Sequence, residues 1–107
     1  MPTLIITRSD IKHLIDMSVV IQSVENAFKD LMKGHVQMPA KTYIAVEKGD
    51  FRAMPAALPG ASGIKWVSVH PQNSIRGLPT VMALLIYNDP ETGYPLAVMD
   101  ATEITAY

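Results

Sequence analysis

The hydrophobic pattern of this chain changes period once, at Pro39, and that change limits the folds open to it. Before Pro39, the residues Val20, Val24, Ala27, Phe28 and Leu31 recur at helical spacing, with Glu25, Lys29 and Asp30 outside the main stripe. After it, Thr42, Ile44 and Val46 alternate with Tyr43, Ala45 and Glu47, as residues do along a strand. Leu4-Ile5-Ile6 adds a short strand candidate at the start. The resulting order is a strand, two helices and then a meander of strands, which predicts an α+β fold.

Local signals set the boundaries. Thr7-Arg8-Ser9-Asp10 has the form of a capping box, and the helix it opens carries Ile11, Leu14 and Ile15 on one stripe. Ser18 is placed to cap a second helix and Gly34 to end it. Residues 41–54 read as a hairpin turning at Lys48-Gly49-Asp50. Pro55 to Ser62 is rich in Ala, Pro and Gly and reads as a loop. Ile64 to Val69 reads as a strand, and Pro71 to Pro79 as a polar loop. Val81 to Tyr87 is a continuous apolar run, the pattern of a strand buried on both faces. Asp89-Pro90-Glu91-Thr92-Gly93 turns it into a partner strand, Leu96 to Met99. DATEITAY then reads as the first turns of a helix, with Asp100 and Glu103 at its positive end. A helix met only in its first turns leads us to expect that the chain is part of a longer protein.

Length and charge narrow the function. The 107 residues allow one modest core. A net charge of −1 with no Lys/Arg cluster gives no footprint for nucleic acid. The longest apolar run is too short to span a bilayer. The start MPTLIITRSD lacks the basic-then-apolar pattern of a secretory leader. With no cysteine in the sequence, these features point to a cytoplasmic protein without a membrane partner.

Lys65 is the residue that asks for an explanation. Alternation along 64–69 puts Lys65, Val67 and Val69 on one face and Ile64, Trp66 and Ser68 on the other. A lysine beside two valines either snorkels to water or meets an anion in a dry site. Lys41 and Arg52 lie on the two arms of the hairpin, as surface charge or as further parts of an anion clamp. Thr80 begins an apolar strand, where it caps its own backbone or reaches a ligand. His70 precedes Pro71, and no second ligand stands at metal spacing from it, so no metal is expected. Met54, Met82 and Met99 read as core filling.

Several ordered segments resemble one family. They are Gln37-Met38-Pro39 with Lys41, Gly49-Asp50-Phe51-Arg52-Ala53-Met54-Pro55, Gly63-Ile64-Lys65-Trp66-Val67, and His70-Pro71 with Asn73. Gly77-Leu78-Pro79-Thr80-Val81 follows, and then Asn88 through Gly93 continuing to Met99-Asp100-Ala101-Thr102. Together they resemble the N-terminal part of the ornithine cyclodeaminase/μ-crystallin family, most nearly its archaeal alanine dehydrogenase branch.

The resemblance implies that residues 1–107 are part of a substrate-binding and dimerisation domain, whose sheet pairs with a second subunit's. It implies a separate Rossmann domain for NAD, absent from this sequence. The implied reaction is NAD(P)-dependent oxidation at the α-carbon of a small L-amino acid, through an imine to the 2-oxo acid. The alternatives are an ornithine cyclodeaminase (ammonia lyase) portion, or a non-catalytic μ-crystallin-like module that dimerises and binds a small ligand. Lys65 would be catalytic and, with Lys41 and Arg52, would bind the substrate carboxylate; Thr80 would contact the cofactor. Arg52 stands where the cyclodeaminase branch carries a glutamate, which implies rejection of a second ammonium. The family pattern continues beyond this helix with Leu-Arg-Thr-Gly/Ala-Ala and later a G-x-G-x-x-G loop. Neither occurs in these 107 residues, so catalysis by the chain alone is not expected.

Overall fold

The computed structural model describes residues 2–106. The first of its N-terminal signals, the capping box, acts as the sequence predicts. Strand β1, Leu4–Ile6, runs into helix α1, Arg8–Leu14, through a complete capping box: the Thr7 hydroxyl accepts from the Asp10 N–H at 3.2 Å, and the Asp10 carboxylate accepts from the Thr7 N–H at 3.0 Å. These bonds hold the Asp10 carboxyl below the usual carboxylate range. Helix α2, Met17–Met32, is capped by Asp16 and not by Ser18. The Asp16 carboxylate accepts from both the N–H and the hydroxyl of Ser18, so the serine is a donor to the cap. At the other end Gly34, with φ of 74°, donates to the Leu31 carbonyl and His35 to that of Asp30, the paired bonds of a Schellman motif.

Strands β2 (Thr42–Val46), β3 (Gly49–Leu58), β4 (Ala61–Val69), β5 (Val81–Asn88) and β6 (Pro95–Asp100) form an antiparallel meander. Strand β1 adds to it in parallel beside β6, giving a six-stranded sheet ordered β1-β6-β5-β4-β3-β2. A 3-10 turn, Pro71–Arg76, lies in the connection before β5. Helix α3, Thr102–Ala106, follows β6. Asp100 therefore ends a strand, and its carboxylate caps the helix by accepting from the Thr102 N–H at 3.0 Å.

The expected loop at 55–62 is instead a second hairpin. Leu58 pairs with Ala61 across a turn in which Gly60 has φ of 81°. Pro55 is tolerated because β2 ends opposite Ala53. The Ala57 N–H points to the Gln37 carbonyl at 2.8 Å, so Pro55, on the same edge, turns its donorless nitrogen into the gap between Gln37 and Thr42. Gly63 on β4 lies hard against β5: a Cβ there would sit 2.3 Å from the Ile86 carbonyl oxygen.

The sheet has one covered face. Val67, Ala83 and Ala101 form the buried cluster, with Met54, Val69, Val81, Leu85 and Ile104 packed on it. Helices α1 and α3 lie over this side. The other face carries Trp66, Leu84 and Ile86, all exposed, and Phe51 stacked on Trp66 at 5.4 Å. The expectation that β5 is buried on both faces fails here: Ala83 is 6% exposed and its neighbour Leu84 is 51% exposed. Helix α2 forms as its periodicity predicts, yet none of its side chains is buried.

Candidate functional site

The register of β3, β4 and β5 builds a cleft around Lys65. Its cross-strand neighbours are Met54 on β3 and Leu85 on β5, so its stem is flanked by apolar side chains on both sides. All three line a cleft of about 620 Å³, with Lys41, Tyr87 and Ile104 also in the wall. Desolvation among these neighbours pushes the Lys65 ammonium below the ordinary lysine range, and repulsion from Lys41 adds to the effect. No acidic side chain is among the residues that line the cleft. The result is a mostly apolar hollow carrying positive charge, suited to a small organic anion.

The other sequence candidates are placed differently. Lys41, exposed, enters the same cleft just ahead of β2. Arg52 is two residues from Met54 on β3 but does not line the cleft. Its guanidinium is committed to Asp50, with Nε–Oδ1 at 2.8 Å and Nη2–Oδ2 at 3.3 Å, and it lies 5.1 Å above the centre of the Tyr43 ring. This pairing raises the Arg52 pKa and holds the Asp50 carboxyl below its usual range. Thr80 sits at the entry to β5, outside the cleft, with its carbonyl accepting from the His70 N–H at 2.9 Å. His70 packs edge-on against Phe51, on the side of the sheet opposite Lys65. Among the described residues no group of three or more acids and histidines is arranged to hold a metal.

Leu85, Tyr87 and Ile104 are cleft residues that the sequence alone does not single out. The first two belong to the Val81–Asn88 run and look like core until β4 and β5 are in register. Ile104 is brought in by α3.

This fold and its sequence have close counterparts. Residues 1–107 match the family model described as the ornithine cyclodeaminase/mu-crystallin family. The chain is 56% identical over 106 residues to an alanine dehydrogenase of Archaeoglobus fulgidus, covering 99% of this chain and 33% of that protein. The structure of an archaeal alanine dehydrogenase dimer with bound NAD superposes with a TM-score of 0.96 at 56% identity, over 99% of this chain and 33% of that one. That of a Thermococcus litoralis Δ1-pyrroline-2-carboxylate reductase, in complex with NADH and L-proline, gives 0.94 at 45% identity, over 97% of this chain and 33% of that one. The chain thus spans about a third of the length of the relatives it matches. With the whole of its described sheet and cleft carried on a sequence pattern matched from end to end, the chain belongs to the ornithine cyclodeaminase/mu-crystallin family.

Proposed function

We propose that residues 1–107 are the amino-acid-binding portion of an NAD-dependent oxidoreductase that acts at the α-carbon of a small L-amino acid, of alanine dehydrogenase type. The observation that carries this reading is Lys65, flanked by Met54 and Leu85 in a cleft that Lys41 also lines. In this reading the two ammonium groups hold the substrate carboxylate. The lowered pKa of Lys65 makes its ammonium the readier to give up its proton, as exchange with the substrate nitrogen or with water requires. The apolar walls exclude bulk water and favour a side chain without charge. An ornithine-like substrate would find no carboxylate in the cleft for its second ammonium. Arg52, paired with Asp50, excludes such a substrate only from the margin.

The sheet is a meander without a strand–glycine turn–helix unit, so the reading assigns NAD to sequence beyond this chain, with Thr80 as a contact. The exposed side of the sheet, with Trp66, Leu84 and Ile86, would meet a second copy of the chain.

Titration of the 15N-labelled chain with pyruvate, L-alanine and L-ornithine tests the proposal. Pyruvate and alanine are expected to shift the amides of Lys65, Leu85 and Ile104, and Lys65→Met to abolish those shifts. Binding of ornithine in preference to alanine would overturn the alanine-type assignment, and unperturbed cleft amides with all three ligands would overturn the site.

A further inference from the structure

We infer that Ile104 sets the size of side chain the cleft admits, and that Glu103, clamped to α1, is the positioning residue that holds Ile104 in the wall. The inference rests on the reading of the cleft as an amino-acid or 2-oxo acid site.

The described part of helix α3 is Thr102–Ala106. Its pose comes from anchors at two places. At its start the Ala101 N–H donates to the Ala83 carbonyl at 2.8 Å, and the Thr102 hydroxyl accepts from the Ala83 N–H at 3.2 Å. These bonds fix where the helix begins. They leave its rotation about that point to be set by something further along. Glu103 supplies it: its carboxylate receives Arg8 at 2.6 Å (Nη2) and 2.8 Å (Nε), and Lys12 lies at 3.7 Å. Both cations belong to α1, which is itself fastened by its capping box and by Ile11, 5% exposed.

The residue after Glu103 is the one that faces the cleft. Ile104 packs on the Val67–Ala83–Ala101 cluster and lines the same hollow as Lys65 and Leu85. Of residues 102–105, Ile104 alone lines that wall. A carboxylate held by Lys65 leaves the ligand's side chain among the apolar residues, and the branched Ile104 limits how far it extends. A helix free to turn would withdraw that limit. The ion cluster on the outer side of α3 and the selectivity on its inner side are therefore one device.

The test uses the full chain and two ligands of unequal size, pyruvate and 4-methyl-2-oxopentanoate, titrated by calorimetry. Wild type is expected to favour pyruvate. Ile104→Ala is expected to shift the ratio of affinities toward the larger acid by about tenfold, the scale of a hydrophobic pocket that gains or loses a few methylenes. Ile104→Val gives a smaller shift in the same direction and guards against loss of folding, which thermal melting checks. Glu103→Gln should move the ratio the same way, whereas a merely structural loss would weaken both ligands alike. Arg8→Lys, which keeps the charge, should restore most of the wild-type ratio relative to Arg8→Ala. An unchanged ratio in both Ile104 variants overturns the role of Ile104, and a change there without one in Glu103→Gln overturns the role of Glu103. Lys65→Met separates the inference from the reading beneath it. If neither acid binds wild type, or if both bind the Lys65→Met chain undiminished, the cleft reading fails and the inference falls with it.

Discussion

Lys65 sits at odds with its own stability. Desolvation lowers its pKa in the folded state, so folding is opposed while the amine must be charged. The sign follows from linkage. Between the folded pKa and the ordinary value near 10.4, the unfolded chain binds more protons, so stability rises with pH across that window; below it the penalty is fully present. Lys65→Met removes the penalty and fills the space between Met54 and Leu85. We predict a higher melting temperature for Lys65→Met at pH 7, together with loss of pyruvate binding, and flattening of the wild-type rise in stability just below the ordinary lysine pKa. A lower melting temperature would show that the ammonium is already satisfied. Lys65 is legible in the sequence because alternation alone puts it beside Val67. Its neighbours are not, because they depend on register, and register across β3 requires knowing that β3 runs through Pro55. Arg52 shows the opposite limit: its residue type is visible in the sequence, but its engagement by Asp50, two residues back on the same strand face, becomes clear only once the strand is placed.

Elements here are held more by their ends than by their interiors. The Thr7 capping box satisfies helix N–H groups at the start of α1, and Thr7→Ala is expected to cost about 1 kcal/mol in chemical denaturation. Because Glu103 is held below the usual carboxylate range, by Arg8 first and then Lys12, its contribution to docking α3 is present above the ordinary glutamate pKa and is lost as pH falls through the lowered value. Hydrogen exchange in α3 should therefore accelerate on acidification before exchange in β4 and β5 does. Gly63 tests the sheet in the same way. An added methyl would meet the Ile86 carbonyl at 2.3 Å, so Gly63→Ala must push β4 from β5, and a loss of about 2–4 kcal/mol is expected in the same denaturation experiment. The caps at Thr7 and Gly34 can be read from sequence because capping is local chemistry. The β3–β4 hairpin cannot be read so easily. Its Ala, Pro and Gly residues carry the composition of a loop, and what makes them strand is pairing with Gln37, Gly63 and Ile64.

At the scale of the molecule, the uncovered half of the sheet is the dominant fact. Trp66, Leu84 and Ile86 alternate with the buried Val67 and Ala83 and with Leu85, so half of an apolar sheet is left facing solvent. We expect the chain to self-associate through this side, and Leu84→Asp to convert it to monomer in sedimentation equilibrium without loss of the β-sheet circular dichroism signal. A wild-type chain that remains monomeric at high concentration would remove the basis for the dimer. We also expect no micromolar binding of NADH in a fluorescence titration, since the described sheet has no dinucleotide-binding unit. The α+β class follows from the change of period at Pro39. The apolar run of β5 reads as doubly buried in the sequence, and in the single chain only one of its sides is covered. The place of β1 is written nowhere in the local pattern, since nothing near Leu4 names a partner at Ala97.

That pairing of β1 with β6 bears on how the chain assembles. Every other strand contact can form between segments close in sequence, in the order they are made. Leu4, Ile5 and Ile6 have no ladder until Ala97, Val98 and Met99 are in place. Closing so long a loop is entropically slow, and it comes after the meander it completes. The docking of α1, and with it the clamp of Arg8 and Lys12 on Glu103, waits on it. A nascent or refolding chain should consequently pass through a stage with a formed β2–β5 meander and an open binding hollow, and the ligand-sized cleft should be the last feature of the molecule to mature.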